Sequence, residues 1–243
     1  MRLWVTRRGD FCVRLRRLNN RVALLALALV ASVAPSSATD ARTAGPPSRL
    51  VDHVKRAVVV VNSYDERGRL LSQGSGFFVR QTQITTNLHV VGGAARVEVV
   101  TFGGRVRAVG GVVAMDGRRD LALLQLGGTP EEVSPLAFVE SAPPAGEEVF
   151  VVSNPRGSLW EVSRGTTLGL REFPELGPLV PFTASVARGS SGGPVVDLRG
   201  RVVGVATMGL LRASGEDFFA VPAEHAARLR PRTLMPFPLR NGD

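Results

Sequence analysis

With 243 residues, 44% of them hydrophobic, the chain can bury one sizeable core, or two small β-barrels sharing an interface, and has little room for a second domain. Its formal net charge of +9 points to nucleic acid only until the charges are located: seven arginines and one acid, Asp10, fall within residues 1–38, a net +6. Setting that segment aside leaves 23 of the 30 basic and 20 of the 21 acidic residues, about +3, which removes the electrostatic case for a nucleic-acid partner.

That first segment reads as a signal peptide. Arg2, Arg7, Arg8, Arg14, Arg16, Arg17 and Arg21 precede an apolar run over 22–34 and the small-residue stretch Pro35-Ser36-Ser37-Ala38. About thirteen apolar residues are too few to span a bilayer comfortably. Cleavage is expected near Ala38, with no stable membrane insertion afterwards; an uncleaved signal anchor is the competing reading. Gly9-Asp10 follow Arg7-Arg8 where a twin-arginine signal wants an apolar pair, so Sec export is expected. The only cysteine, Cys12, leaves with this peptide, and export without disulfides fits a bacterial periplasmic or secreted protein.

Residues 39–50 read as a flexible leader, since 39–48 are polar and rich in Pro, Gly and Ala. From there short β-type runs alternate with turn residues: 57–63, 69–79, 83–86, 96–102, 106–115 and 121–126, then 148–153, 160–170, 179–185, 195–198, 202–208 and 217–221. Six and six predict an all-β fold of two six-stranded antiparallel β-barrels, about 51–128 and 129–221. A short C-terminal helix is expected over 222–229, where Pro222 suits a first turn, inside a domain ending near 230 and followed by a tail, 231–243.

Three residues carry the chemistry. Ser191 stands in Gly189-Ser190-Ser191-Gly192-Gly193-Pro194, where glycines let the backbone fold back and aim N–H groups at an oxyanion. His89 closes the apolar run Ile84-Thr85-Thr86-Asn87-Leu88-His89, and Asp120 opens the buried-type strand Asp120-Leu121-Ala122-Leu123-Leu124. The chain order His, Asp, Ser is that of chymotrypsin-type triads and differs from the subtilisin and α/β-hydrolase orders. His53 and His225 lie in polar, helix-like contexts and are expected at the surface. Three scattered histidines and no cysteine after residue 38 leave no metal constellation, and no cofactor is expected.

Thr86 to Val91, Asp120 to Leu123 and Gly189 to Pro194, with weaker echoes in Gly74-Ser75-Gly76-Phe77, Ser153-Asn154-Pro155-Arg156-Gly157 and Phe219-Ala220-Val221-Pro222, resemble the trypsin-like serine proteases, most closely the bacterial Deg/HtrA branch. The resemblance covers about 51–228 and implies a serine endopeptidase with polypeptide substrates. His89 would act as general base, Asp120 as its orienting partner and Ser191 as nucleophile, with an oxyanion hole from the N–H groups of Gly189 and Ser191. It also implies a primary pocket floored by Ser185, six residues before the nucleophile, and bounded by Thr207 and Met208. No acid stands there, so small or medium apolar side chains are expected; an ordinary barrel lining is the other reading. Ser190 replaces the aspartate that digestive proteases use in zymogen activation, so that switch is not expected.

This sequence departs from the family in two places. Phe182-Thr183-Ala184 stand where many members have Thr-Asp-Ala, and only fifteen residues follow Arg228, too few for a PDZ domain. The leader lacks the aromatic residues of trimeric members, which leaves monomer and homotrimer open. A catalytically silent binding protein or chaperone on the same scaffold, and an esterase using the same triad, are the competing functions.

Overall fold

The computed structural model describes residues 46–128, 133–155, 158–174, 176–207 and 218–239. The expected signal peptide with Cys12, most of the leader before residue 46, Met208 and the last four residues lie outside the described residues.

The first barrel follows the predicted runs closely. Strands β1 (Val58–Tyr64), β2 (Leu70–Arg80), β3 (Gln83–Asn87), β4 (Arg96–Val100), β5 (Val106–Asp116) and β6 (Leu121–Leu126) close antiparallel in the order β1-β2-β3-β6-β5-β4. The near-continuous apolar run of β6 is explained by burial on both faces. Leu121 and Leu123 point into the core shared with the second sheet, whereas Ala122 and Leu124 fill the barrel with Val59, Phe78 and Ile84.

The second half is a seven-stranded sheet in the order β8-β7-β11-β12-β13-β10-β9: β7 (Glu148–Ser153), β8 (Glu161–Thr166), β9 (Arg171–Phe173), β10 (Gly177–Phe182), β11 (Pro194–Asp197), β12 (Val202–Thr207) and β13 (Phe218–Pro222). It curls back on itself. Thr167, just past β8, bridges Phe182 at the end of β10, and the Leu168 and Thr183 N–H groups donate to Pro181 and Thr166 carbonyl oxygens. The one strand expected over 160–170 ends at Thr166, and β9 pairs only with β10 as an added hairpin arm. Positive φ at Gly169 (80°) and Gly177 (74°) supplies the two turns.

Two sequence expectations need correction. Ser48, Arg49 and Leu50 belong to a helix, α1 (Ser48–Ala57), and not to a flexible leader. Its apolar residues Leu50, Val51, Val54 and Ala57 share one face, and Val54 and Ala57 pack completely buried into the core that contains Phe77, Phe150 and Val202. His225 is the second. In the short helix α3 (Ala223–Ala227) it is 8% exposed, because α3 lays that side against the molecule, whereas His53 on α1 is exposed as expected.

Candidate active site

His89 and Asp120 are locked together by backbone as well as side chain. His89 is the second residue of α2 (Leu88–Val91), a single turn directly after β3. The first N–H groups of any helix lack intrahelical acceptors, and Asp120 supplies them: Leu88 N–H donates to its carbonyl oxygen (3.0 Å) and His89 N–H to Oδ1 (2.8 Å). The other carboxylate oxygen, Oδ2, lies 2.5 Å from His89 Nδ1. Asn87 Nδ2 donates to the Asp120 carbonyl oxygen as well (3.0 Å).

Asp120 can face α2 in this way because its φ is 55°, a left-handed conformation that aspartate tolerates better than most side chains. The preceding turn is fixed by Asp116, whose carboxylate accepts from Arg119 N–H (3.1 Å) and Arg119 Nη1 (2.8 Å). Partial burial alone would raise the Asp116 pKa; the Arg119 hydrogen bonds and charge outweigh it and hold the carboxyl below its ordinary value.

Ser191 reaches this pair from the other sheet across β2. Its carbonyl oxygen accepts from Ser75 N–H (2.8 Å), and Ser75 Oγ donates to the Gly189 carbonyl oxygen (2.8 Å). Gly74 marks the crossing point. A Cβ there would lie 2.7 Å from the Val90 side chain of α2 and 3.1 Å from the Ser191 carbonyl oxygen, so the helix carrying His89 and the loop carrying Ser191 meet over one glycine.

Within the serine loop, Ser190 N–H donates to Ala187, Gly192 N–H to Ala206 and Gly193 N–H to Ser190 carbonyl oxygens. Among the described residues the N–H groups of Gly189 and Ser191 have no acceptor. Gly189 has φ 103°, and Ser190, 1% exposed, anchors the loop by accepting from Ser153 Oγ (2.9 Å) and Ala187 N–H (3.3 Å). Ser191 itself is 8% exposed, and no hydrogen bond joins its Oγ to His89 among the described residues.

Of the expected pocket residues, Ser185 is exposed between β10 and the serine loop, while Thr207 is buried at the end of β12 with its hydroxyl unpartnered among the described residues. Met208 lies outside the described residues. Ser75, Asn87 and Ser153 were visible in the sequence only as parts of short motifs, and their roles as struts of the site come from contacts up to 114 residues apart in the chain.

A family model described as a trypsin-like peptidase domain matches residues 74–205, more than half of the chain. The chain belongs to the trypsin-like peptidase family. Its sequence is 30% identical over 186 residues to serine protease Rv3671c of Mycobacterium tuberculosis strain H37Rv, covering 71% of this chain and 45% of that protein. It is 30% identical over 194 residues to the chloroplastic Protease Do-like 5 of Arabidopsis thaliana, covering 70% and 60%. The chain therefore spans less than two thirds of either relative. Among solved structures, the active form of the M. tuberculosis Rv3671c protease superposes with a TM-score of 0.63 at 25% identity over 78% of this chain and 91% of that one. Deg5 superposes with a TM-score of 0.63 at 26% identity, covering 74% and 90%. The fold is thus the chymotrypsin type, and the Deg/HtrA-like resemblance read from the sequence holds.

Proposed function

We propose that this trypsin-like protease domain is an exported serine endopeptidase that cleaves unfolded or exposed polypeptide segments through His89, Asp120 and Ser191. The observation that carries the reading is the double engagement of His89 by Asp120, side chain to side chain and side chain to backbone, beside the loop of Ser191.

With Asp120 accepting the Nδ1 proton, Nε2 of His89 is the basic nitrogen. It takes the Ser191 Oγ proton as Oγ bonds to the substrate carbonyl carbon, and returns that proton to the amine nitrogen as the peptide C–N bond breaks. Water then gives a proton to the same nitrogen as its oxygen bonds to the acyl carbon, and that proton passes to Oγ as the C–Oγ bond breaks. The N–H groups of Gly189 and Ser191 would donate to the carbonyl oxygen as it becomes an oxyanion, each worth about 3 kcal/mol in comparable sites. No acid stands at Ser185 or Thr207, where the resemblance expects the first substrate side chain, which supports a preference for small or medium apolar residues. The charged and apolar segments of residues 1–38 support export to the periplasm or the exterior, and no helix among the described residues is long and apolar enough to cross a membrane.

The test is incubation of the protein and its Ser191→Ala variant with a fluorophosphonate probe and unfolded casein. Labelling and cleavage by the parent, with at least a ~10⁴-fold loss in the variant, are expected. A folded parent that neither labels nor cleaves would replace the enzyme with a protein-binding scaffold.

A further inference from the structure

A cavity of about 750 Å³ lies away from the serine loop, between β5, the end of α3 and the C-terminal segment, where Arg232 and Met235 hydrogen-bond to Val113 and Val112 of β5. This volume is in the range of small-ligand sites. Its lining is divided in character: Met115, Leu229 and Met235 are apolar, while the exposed residues Arg228, Arg230 and Arg232 line the same space within five positions.

The surrounding carboxylates do not balance them. Asp116 lines the cavity but is paired with Arg119 at 2.8 Å, and Glu224 is paired with Arg228 at 3.1 Å. Arg230 and Arg232 have no carboxylate partner among the described residues. A purely structural role covers part of the cluster, since cations suit the carbonyl end of a helix and Arg230 Nη1 donates to the Ala227 carbonyl oxygen (2.6 Å). It does not cover Arg232, which stands beyond the helix and, among the described residues, is held only by its N–H bond to the Val113 carbonyl oxygen. His225, on the same wall, is buried with Nε2 lacking a hydrogen-bond partner among the described residues; the nearest carboxylate oxygen, on Glu224, is 3.9 Å away.

We propose that this cavity binds a small amphipathic carboxylate, its apolar chain on Met115, Leu229 and Met235 and its carboxylate between Arg230 and Arg232. A guanidinium pairs a carboxylate through two parallel N–H donors, and a bound anion would relieve the repulsion among three adjacent cations. The apolar floor selects against small inorganic anions, which gain nothing from it.

Calorimetric titration of the whole chain with octanoate, 1-octanol and inorganic phosphate tests the site. Saturable octanoate binding is expected, at least about tenfold tighter than either control. Arg230→Gln/Arg232→Gln should weaken it about tenfold or more, and Arg232→Gln alone, a change at an exposed side chain, by a smaller factor, with the circular dichroism spectrum unchanged. Ser191→Ala should bind octanoate as the parent does, so the result stands whatever the fate of the hydrolytic reading. No saturable octanoate binding, equal binding of octanol or phosphate, loss of octanoate binding in Ser191→Ala, or full affinity in the double arginine variant would each overturn the proposal.

Discussion

Ser75 has no part in bond making, yet it holds four positions of the site at once. Its hydroxyl donates to Gly189 and accepts from Asn154 N–H, its own N–H donates to Ser191, and its carbonyl oxygen accepts from Thr86 Oγ1. Ser75→Ala removes the first two bonds and leaves a buried carbonyl oxygen and a buried N–H unpaired. The expected cost is about 2–3 kcal/mol in urea denaturation. Because the Gly189 peptide loses its anchor, turnover number on a peptide substrate should fall while KM changes little. A KM effect with unchanged turnover would show that Ser75 shapes substrate binding instead. His225 gives the pH prediction. Burial foremost, then the Arg119 charge, depresses its pKa below 6.5, so between the folded and unfolded values the unfolded chain binds more protons. Its contribution is therefore complete above about pH 6.5 and is lost as pH falls below it. Thermal midpoints measured between pH 8 and 5 should decline on the acid side, and His225→Gln should flatten that decline.

At the scale of elements, the serine loop depends on Gly192. Its φ is 85°, and a Cβ would stand 2.1 Å from the Ser75 carbonyl oxygen and 2.4 Å from Thr86 Oγ1, both parts of the framework behind His89. Gly192→Ala should cost more than about 3 kcal/mol or displace the loop, and the fluorophosphonate labelling rate, compared with the thermal midpoint, tells these apart. The backbone reversal of this loop was legible in the sequence because glycines around a serine are a local signal, and Gly189 and Gly192 do hold positive φ. Strands were legible for a similar reason: β6 and β7 have the predicted bounds, since runs such as Leu121-Ala122-Leu123-Leu124 are apolar on both faces and admit few other placements. The helix-like context of His53 was legible too, but the start of α1 at Ser48 and the burial of its apolar face were not. That face is four residues set in polar sequence, and only the sheet beneath it makes Val54 a core residue. The burial of His225 was hidden for the same reason: α3 packs on β12 and β13, and the Asp116 and Arg119 charges that act on His225 come from over a hundred positions earlier. The N–H groups that Asp120 accepts, and the chain reversal at its positive φ, likewise depend on where α2 lies and not on the residues beside it.

At the scale of the molecule, His89 and Asp120 belong to the barrel and Ser191 to the second sheet, so the site is only as well defined as the junction between them. Much of that junction is apolar: Val58 and Phe77 from the barrel and Phe150, Val152 and Val205 from the sheet share one buried core. Hydrophobic contact alone tolerates sliding, and directional bonds fix the register. Asn154, fully buried at the end of β7, donates through Nδ2 to the Val59 carbonyl oxygen (2.9 Å) and accepts through Oδ1 from Trp160 N–H (2.9 Å), while Trp160 Nε1 donates to the Val58 carbonyl oxygen (2.9 Å). Trp160 holds φ at 51°, a conformation that a bulky residue adopts only when its surroundings impose it. Asn154→Ala removes both bonds of the amide and strands a carbonyl oxygen and an N–H in the interface, at an expected cost of about 2–4 kcal/mol. Because the shared core couples the halves, urea unfolding followed by Trp fluorescence and by far-ultraviolet circular dichroism should remain one coincident transition at a lower midpoint. Separation of the two curves would mean that the amide, rather than the apolar core, makes the two halves unfold together.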